Sequence, residues 1–139
     1  MPELRVTIPG LAATGRPRIK AGGRGLYNVP AVKRWKEAVK EAAFLAKMNH
    51  PSLTMPEEGV PVRADFNFYL PWQKATPKKL ASTTAQHTQK PDLSNLIKHT
   101  EDALTEANMW TDDNQIDTLT AQKWRCPRDS ERVEVVISW

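Results

Sequence analysis

The chain has one cysteine, Cys126. It cannot form an internal disulfide, which points to a reducing compartment, the cytoplasm. No apolar run approaches the roughly 18 residues of a membrane span. The opening "MPELRVTIPG" lacks the pattern of a secretory signal, so no membrane association is expected. Paired ligand spacings are missing too: with a single cysteine, and with His87 and His99 in no metal pattern, a structural zinc site is not expected. Nothing repeats along the 139 residues. They fit one domain, 1–139, with chain enough for a core that needs no staples.

Acidic residues are absent from two long stretches. "TGRPRIKAGGRGLYNV" has four basic residues, four glycines and no acid, and reads as a loop. "PWQKATPKKLASTTAQHTQKP" has four lysines and no acid. At about twenty residues it is longer than most connections in a compact domain, and such loops are functional or mobile. Residues 1–91 carry 15 Lys+Arg against 6 Asp+Glu, a balance of +9, whereas residues 92–139 carry 5 against 10, a balance of −5. A basic body with an acidic cluster suits a surface that attracts polyanions and a site that holds cations. Arg16, Arg18, Lys20 and Arg24 in the first stretch, and Lys74, Lys78, Lys79 and Lys90 in the second, are the cations such a surface would present.

What is present is clear periodicity. "ELRVTIPG" alternates Leu4, Val6 and Ile8 and reads as a strand closed by Pro9-Gly10. From Pro30, Val32, Trp35, Val39, Ala42 and Ala46 fall on one helical stripe. "VPVRADFNFYL" alternates from Val60 to Leu70, with Phe66 and Phe68 on the core side. After Pro91, Asp92 is a good N-cap for a second helix striped by Leu93, Leu96, Ile97, Thr100, Ala103, Leu104 and Ala107, ending near Asn108. "NQIDTLTAQKW" and "ERVEVVISW" read as two strands joined by "RCPRDS". The expected fold is α+β, order β-α-β-α-β-β, a mixed sheet packed against two helices.

The acids gather around the second helix. Asp92 stands at its start, and Asp112 and Asp113 stand just before the next strand. If that strand lies beside the helix start, the carboxylates converge and need a cation between them. Oxygen-only ligands suit Mg²⁺ or Mn²⁺, and carboxylates with a substrate phosphate are a usual nuclease arrangement. Lys98, one and a half turns past Asp92, is placed to hold the phosphate or offset its charge. Taken singly, each of these residues has an ordinary reading: an N-cap, a turn before a strand, and a surface pair of Lys98 with Asp102.

"HTQKPDLSNLIKHTEDAL…DDNQI", together with "GRPRIKAGGRGLYNVPAVKRW", resembles the RusA family of Holliday-junction endonucleases, usually carried by phages and prophages. The similarity runs over most of the chain in order and spacing. It implies a homodimer that binds four-way DNA junctions and cuts two strands symmetrically with Mg²⁺ or Mn²⁺. Carried over by position, it assigns catalysis to Asp92, Lys98 and Asp113, with Asp92 and Asp113 on the metal. One position departs: Ser94 stands where the family usually has a second aspartate. Asp102 or Asp112 compensates, or the chain is an engineered inactive form, or it is a relative that binds junctions and cuts poorly. The first reading is preferred because the rest of the motif is intact.

Overall fold

The computed structural model describes residues 1–12, 18–19, 26–27 and 30–139. The central element is β4, Val62–Pro71. Its side chains alternate strictly: Val62, Ala64, Phe66, Phe68 and Leu70 are buried, and the residues between them are half-buried or exposed. That alternation lets one face of a strand meet a core while the other meets water.

The other strands assemble around it. β1 (Glu3–Pro9) and β7 (Arg132–Ser138) pair antiparallel, and β7 pairs antiparallel with β4. β6 (Ile116–Cys126) runs parallel to β4 on the other side, and the two-residue β5 (Ala85–Gln86) closes that edge. The order across the sheet is β1-β7-β4-β6-β5. Although β6 and β7 are consecutive, they do not pair: β4 lies between them. Their link turns at Asp129, which adopts φ +68°, a left-handed conformation that aspartate tolerates better than most residues. A separate two-residue pair joins β2 (Arg18–Ile19) to β3 (Leu26–Tyr27).

Two long helices cover the buried face. α1, Pro30–Met48, buries Val32, Trp35, Val39, Ala42 and Ala43. α3, Leu93–Glu106, buries Leu96, His99, Thr100, Ala103 and Leu104. The Trp35 indole donates to Thr100 Oγ1 at 3.1 Å inside this contact, so the two helices share a satisfied polar bond within the core. Lys36 and Lys40 of α1 reach Glu106 of α3 at 3.3 and 3.0 Å. Lys47 donates to the carbonyls of Ala107 and Asn108 at 2.6 and 3.3 Å, answering acceptors that the end of α3 leaves open. Asn108 sits at φ +60° just past the helix, where the sequence places its end. The expected order β-α-β-α-β-β holds among the long elements. The structure adds β2, β3, β5 and a four-residue helix α2, Lys78–Ala81.

Candidate nuclease site

Asp92 begins α3 with an extended backbone, and its main-chain carbonyl accepts the first helical bond, from Leu96 N at 3.3 Å. Its side chain makes no capping hydrogen bond. The carboxylate is exposed and is left over for another partner. Ser94 and Lys98 are exposed as well. They stand four residues apart and share one face of α3 with Asp102, a further turn on. Lys98 makes no ion pair among the described residues, so the surface pair with Asp102 is not formed.

Asp112 and Asp113 belong to a short 3-10 turn, Asp113–Gln115, that leads into β6. Asp112 caps it, accepting from Asn114 N at 3.0 Å, and buried Gln115 ties it down. The Gln115 Oε1 accepts from Thr111 N and Asp112 N at 2.8 and 3.0 Å. Its Nε2 donates to the carbonyls of Glu57 and Val60 at 2.8 and 3.1 Å. Asp112 is thus a structural cap, whereas Asp113 faces α3. With Asp102, Thr105, Glu106, Thr111, Asp112 and Lys36 it lines a cavity of about 310 Å³.

The charges in this patch act on one another. The Asn114 N–H, then a hydrogen bond with Asp113, holds the Asp112 carboxyl below the usual carboxylate range. The same bond with Asp112 pushes Asp113 up, assisted by slight burial and by the charges of Asp112 and Asp102. Glu101 is raised by burial first and by Asp113 and Asp102 after it. A raised carboxyl pKa is what crowded like charges produce.

Asp92 is not among these neighbours. The turn that starts β6 lines a cavity with Asp102, Thr105 and Glu106 in the far half of α3, whereas Lys123 and Arg125 near the other end of β6 bind Gln89, Lys90 and Pro91 just ahead of Asp92. From Asp92 to Asp102 the helix rises about 15 Å. The convergence expected from sequence required the start of β6 to lie beside the start of α3, and it does not. Among the described residues, no group of three or more His, Cys, Asp or Glu side chains is disposed to hold a metal ion. As folded, one chain does not bring Asp92 beside Asp113.

Two cations the sequence did not single out build the Asp92 end. Lys123 Nζ donates to the carbonyls of Gln89 and Pro91 at 2.6 and 3.0 Å. Buried Arg125 donates to the carbonyls of Pro71 and Lys90 at 3.0 and 3.3 Å and to Gln89 Oε1 at 3.4 Å. Together they clamp the strap that delivers Asp92. Burial, then the charges of Arg125 and Lys123, bring the neighbouring His87 down to about 4. Both cations lie on the face of β6 that continues Phe68 and Leu70 of β4, a position where a pattern reader expects apolar residues.

The second acid-free stretch is folded over this same end. Trp72 Nε1 donates to the carbonyl of Thr83 at 2.7 Å, and Lys78 and Lys79 sit on α2. Lys74, Lys78, Lys79 and Lys90 are all exposed and without ion pairs among the described residues. Of the first stretch, Arg18 falls on β2, while Arg16, Lys20 and Arg24 lie outside the described residues. No helix is long and apolar enough to cross a membrane among the described residues.

No curated protein matches the chain. Over residues 9–138, nearly its whole length, it matches the family model of the endodeoxyribonuclease RusA, with the Asp92–Asp113 segment inside the match, and the chain belongs to that family.

Proposed function

We propose that the chain is a structure-selective endonuclease that binds four-way DNA junctions as a homodimer and cuts two strands symmetrically by phosphodiester hydrolysis. Membership of an endodeoxyribonuclease family carries the reading. An N-terminal carboxylate on α3 that does no capping, preceded by a stretch whose exposed lysines make no ion pairs among the described residues, supports it. Two-fold cutting of a two-fold substrate asks for two sites related by symmetry, which an isologous dimer supplies. The compartment proposed is the cytoplasm, consistent with Cys126 being buried and unpaired.

Lys74, Lys78, Lys79 and Lys90, with Arg16, Arg18, Lys20 and Arg24, grip phosphate backbones. Lys98 offers an ammonium one turn from Ser94 and one turn from Asp102. There it meets a phosphate oxygen and offsets the negative charge that grows on it as the bond to the leaving oxygen breaks. Arg125 and Lys123 act on the strap ahead of Asp92 and hold its backbone in place. The oxygen-only donors favour Mg²⁺ or Mn²⁺ as cofactor, which when bound supplies an acidified water and a polarised phosphate.

The test is cleavage of a synthetic four-way junction against linear duplex of the same sequence, with Mg²⁺ and with EDTA. Symmetric cuts in the junction, dependent on Mg²⁺, are expected. Tight junction binding without cutting at any Mg²⁺ concentration would establish the alternative, a junction-binding protein that Ser94 has left weakly catalytic or inactive.

A further inference from the structure

Between β4 and β5 the chain leaves the sheet as an arm with a closed neck. Trp72 N donates to Cys126 O of β6 at 3.0 Å, and the Trp72 indole reaches across to the Thr83 carbonyl at 2.7 Å. β5 then rejoins β6, with Ala85 against Arg125 and Gln86 against Trp124. Buried Arg125 bonds the carbonyl of Pro71, at the foot of the arm, and that of Lys90, two residues before Asp92. The arm is thereby rooted at the Asp92 end of the molecule.

Its tip is a helix without a buried face. α2 buries no residue, and residues 73–82 are exposed apart from half-buried Thr76 and Ala81. Four residues do not hold a helix in water by propensity. Local bonds hold this one. The Ser82 hydroxyl donates to Lys79 O at 2.8 Å and the Thr83 hydroxyl to Leu80 O at 2.7 Å, answering carbonyls that the helix end leaves open. A tip built this way needs no apolar residue, yet it carries Leu80, which is 46% exposed.

An exposed leucine by itself calls for no partner. The surroundings of Leu80 do. Residues 73–82 hold Lys74, Lys78 and Lys79 and no acid, and none of the three lysines makes an ion pair among the described residues. An apolar side chain ringed by free ammonium groups complements a partner that is anionic outside and apolar within. DNA is such a partner where its bases come unstacked. In a linear duplex the base faces are covered by one another, whereas stacking is interrupted at the crossover of a four-way junction. Apolar side chains inserted between base steps, with basic residues on the flanking phosphates, are an established way of holding DNA open.

We infer that the arm is a wedge: α2 enters the crossover of a four-way junction, Lys74, Lys78 and Lys79 hold the phosphates around it, and Leu80 packs against bases that it keeps unstacked. The inference rests on the junction-cutting reading above and adds a residue that tells a junction from a duplex. Unstacking costs least where stacking is already broken, so the wedge favours branched over linear DNA.

The test uses the full chain in EDTA and a four-way junction carrying 2-aminopurine, an adenine analogue that brightens when it unstacks. The probe is placed beside the crossover in each strand in turn and, as a control, well inside one arm of the DNA. Wild type raises the fluorescence at a crossover position and not at the control. Leu80→Ser keeps the lysines and with them the salt dependence of binding. It loses the rise and lowers the preference for junction over linear duplex by about tenfold. Leu80→Met, which keeps an apolar side chain, retains both. Because α2 buries nothing, both variants melt near wild type, which separates loss of the wedge from loss of the fold. A rise that survives in Leu80→Ser, or a wild type that binds the junction tightly with no rise at any crossover position, overturns the wedge while the junction reading stands. A wild type with no preference for junction over duplex overturns both.

Discussion

The two ends of α3 carry opposite solutions to the handling of charge. At its start, cations satisfy main-chain carbonyls: Lys123 and Arg125 bind Gln89, Lys90 and Pro91, and the exposed lysines of the stretch that leads to it make no ion pairs among the described residues. At its end, carboxylates crowd one another and the nearest lysines are already engaged, Lys36 and Lys40 with Glu106. The first end has positive charge to spare for phosphate. The second has negative charge that only an outside cation can relieve. A nuclease needs both, and here they stand about 15 Å apart along one helix.

The largest effect expected comes from removing a carboxylate at either end. Asp92→Asn and Asp113→Asn should each lower single-turnover junction cleavage by about 100-fold or more, with junction binding in EDTA unchanged. Equal losses would mean that both ends serve one reaction. A loss confined to Asp92→Asn would leave Asp113 a bystander of the acidic end.

Next in size is the clamp. Arg125→Met removes a buried side chain and leaves the carbonyls of Pro71 and Lys90 without their donor. That should cost about 2–3 kcal/mol of unfolding free energy in urea. Lys123→Met, at a half-exposed position, should cost less. If cleavage falls in Arg125→Met at a temperature where the fold is intact, and binding does not, the clamp positions Asp92. Loss of binding in step with cleavage would assign it to the scaffold alone.

How much of this was readable in advance depends on the length of each element. β1, β4, β7, α1 and α3 bury their apolar residues with an unbroken period, and their sequences show it. α2 and β5 have four and two residues, too few for any period, so the long loop hid them. β6 misleads: Trp124 looks like its core residue, yet it lies on the open face, stacked on Tyr69 at 6.2 Å, while Lys123 and Arg125 take the face of Phe68 and Leu70. In the site, Asp92 stands at the start of α3 where the sequence places it, but its side chain makes no capping hydrogen bond, so the ordinary capping reading of that residue does not hold. The direction of β6 relative to α3 could not be read, because spacing along a chain does not say which end of a strand meets a helix.

The lysines of the basic end give a smaller but cleaner measure. Replacing Lys74, Lys78 and Lys79 by Glu should weaken junction binding and flatten its salt dependence. Each lost phosphate contact reduces the slope of log K against log salt by roughly 0.9. A slope that does not move in titrations across salt would place this arm off the DNA and leave the contrast between the two ends without its functional meaning.

The smallest effect, and the one that joins the two ends, belongs to position 94. Ser94 lies on the stripe that leads through Lys98 to Asp102, exposed and within the first turn of α3. An aspartate there acts in two ways. It complements the positive end of the helix and stands four residues before Lys98, a favourable orientation, together worth about 0.5–1 kcal/mol without any metal. It also adds a negative oxygen donor near Asp92, which strengthens binding of a hard cation. The first contribution raises the melting temperature of Ser94→Asp in EDTA. The second adds a further rise only when Mg²⁺ is present, because binding to the native state alone stabilises it by mass action. The expected result is a larger Mg²⁺-dependent shift than wild type shows and half-maximal cutting at lower Mg²⁺. Equal shifts with and without Mg²⁺, and an unchanged Mg²⁺ midpoint, would confine position 94 to the helix and its lysine, and the carboxylate the family usually carries there would have no metal to meet in this chain.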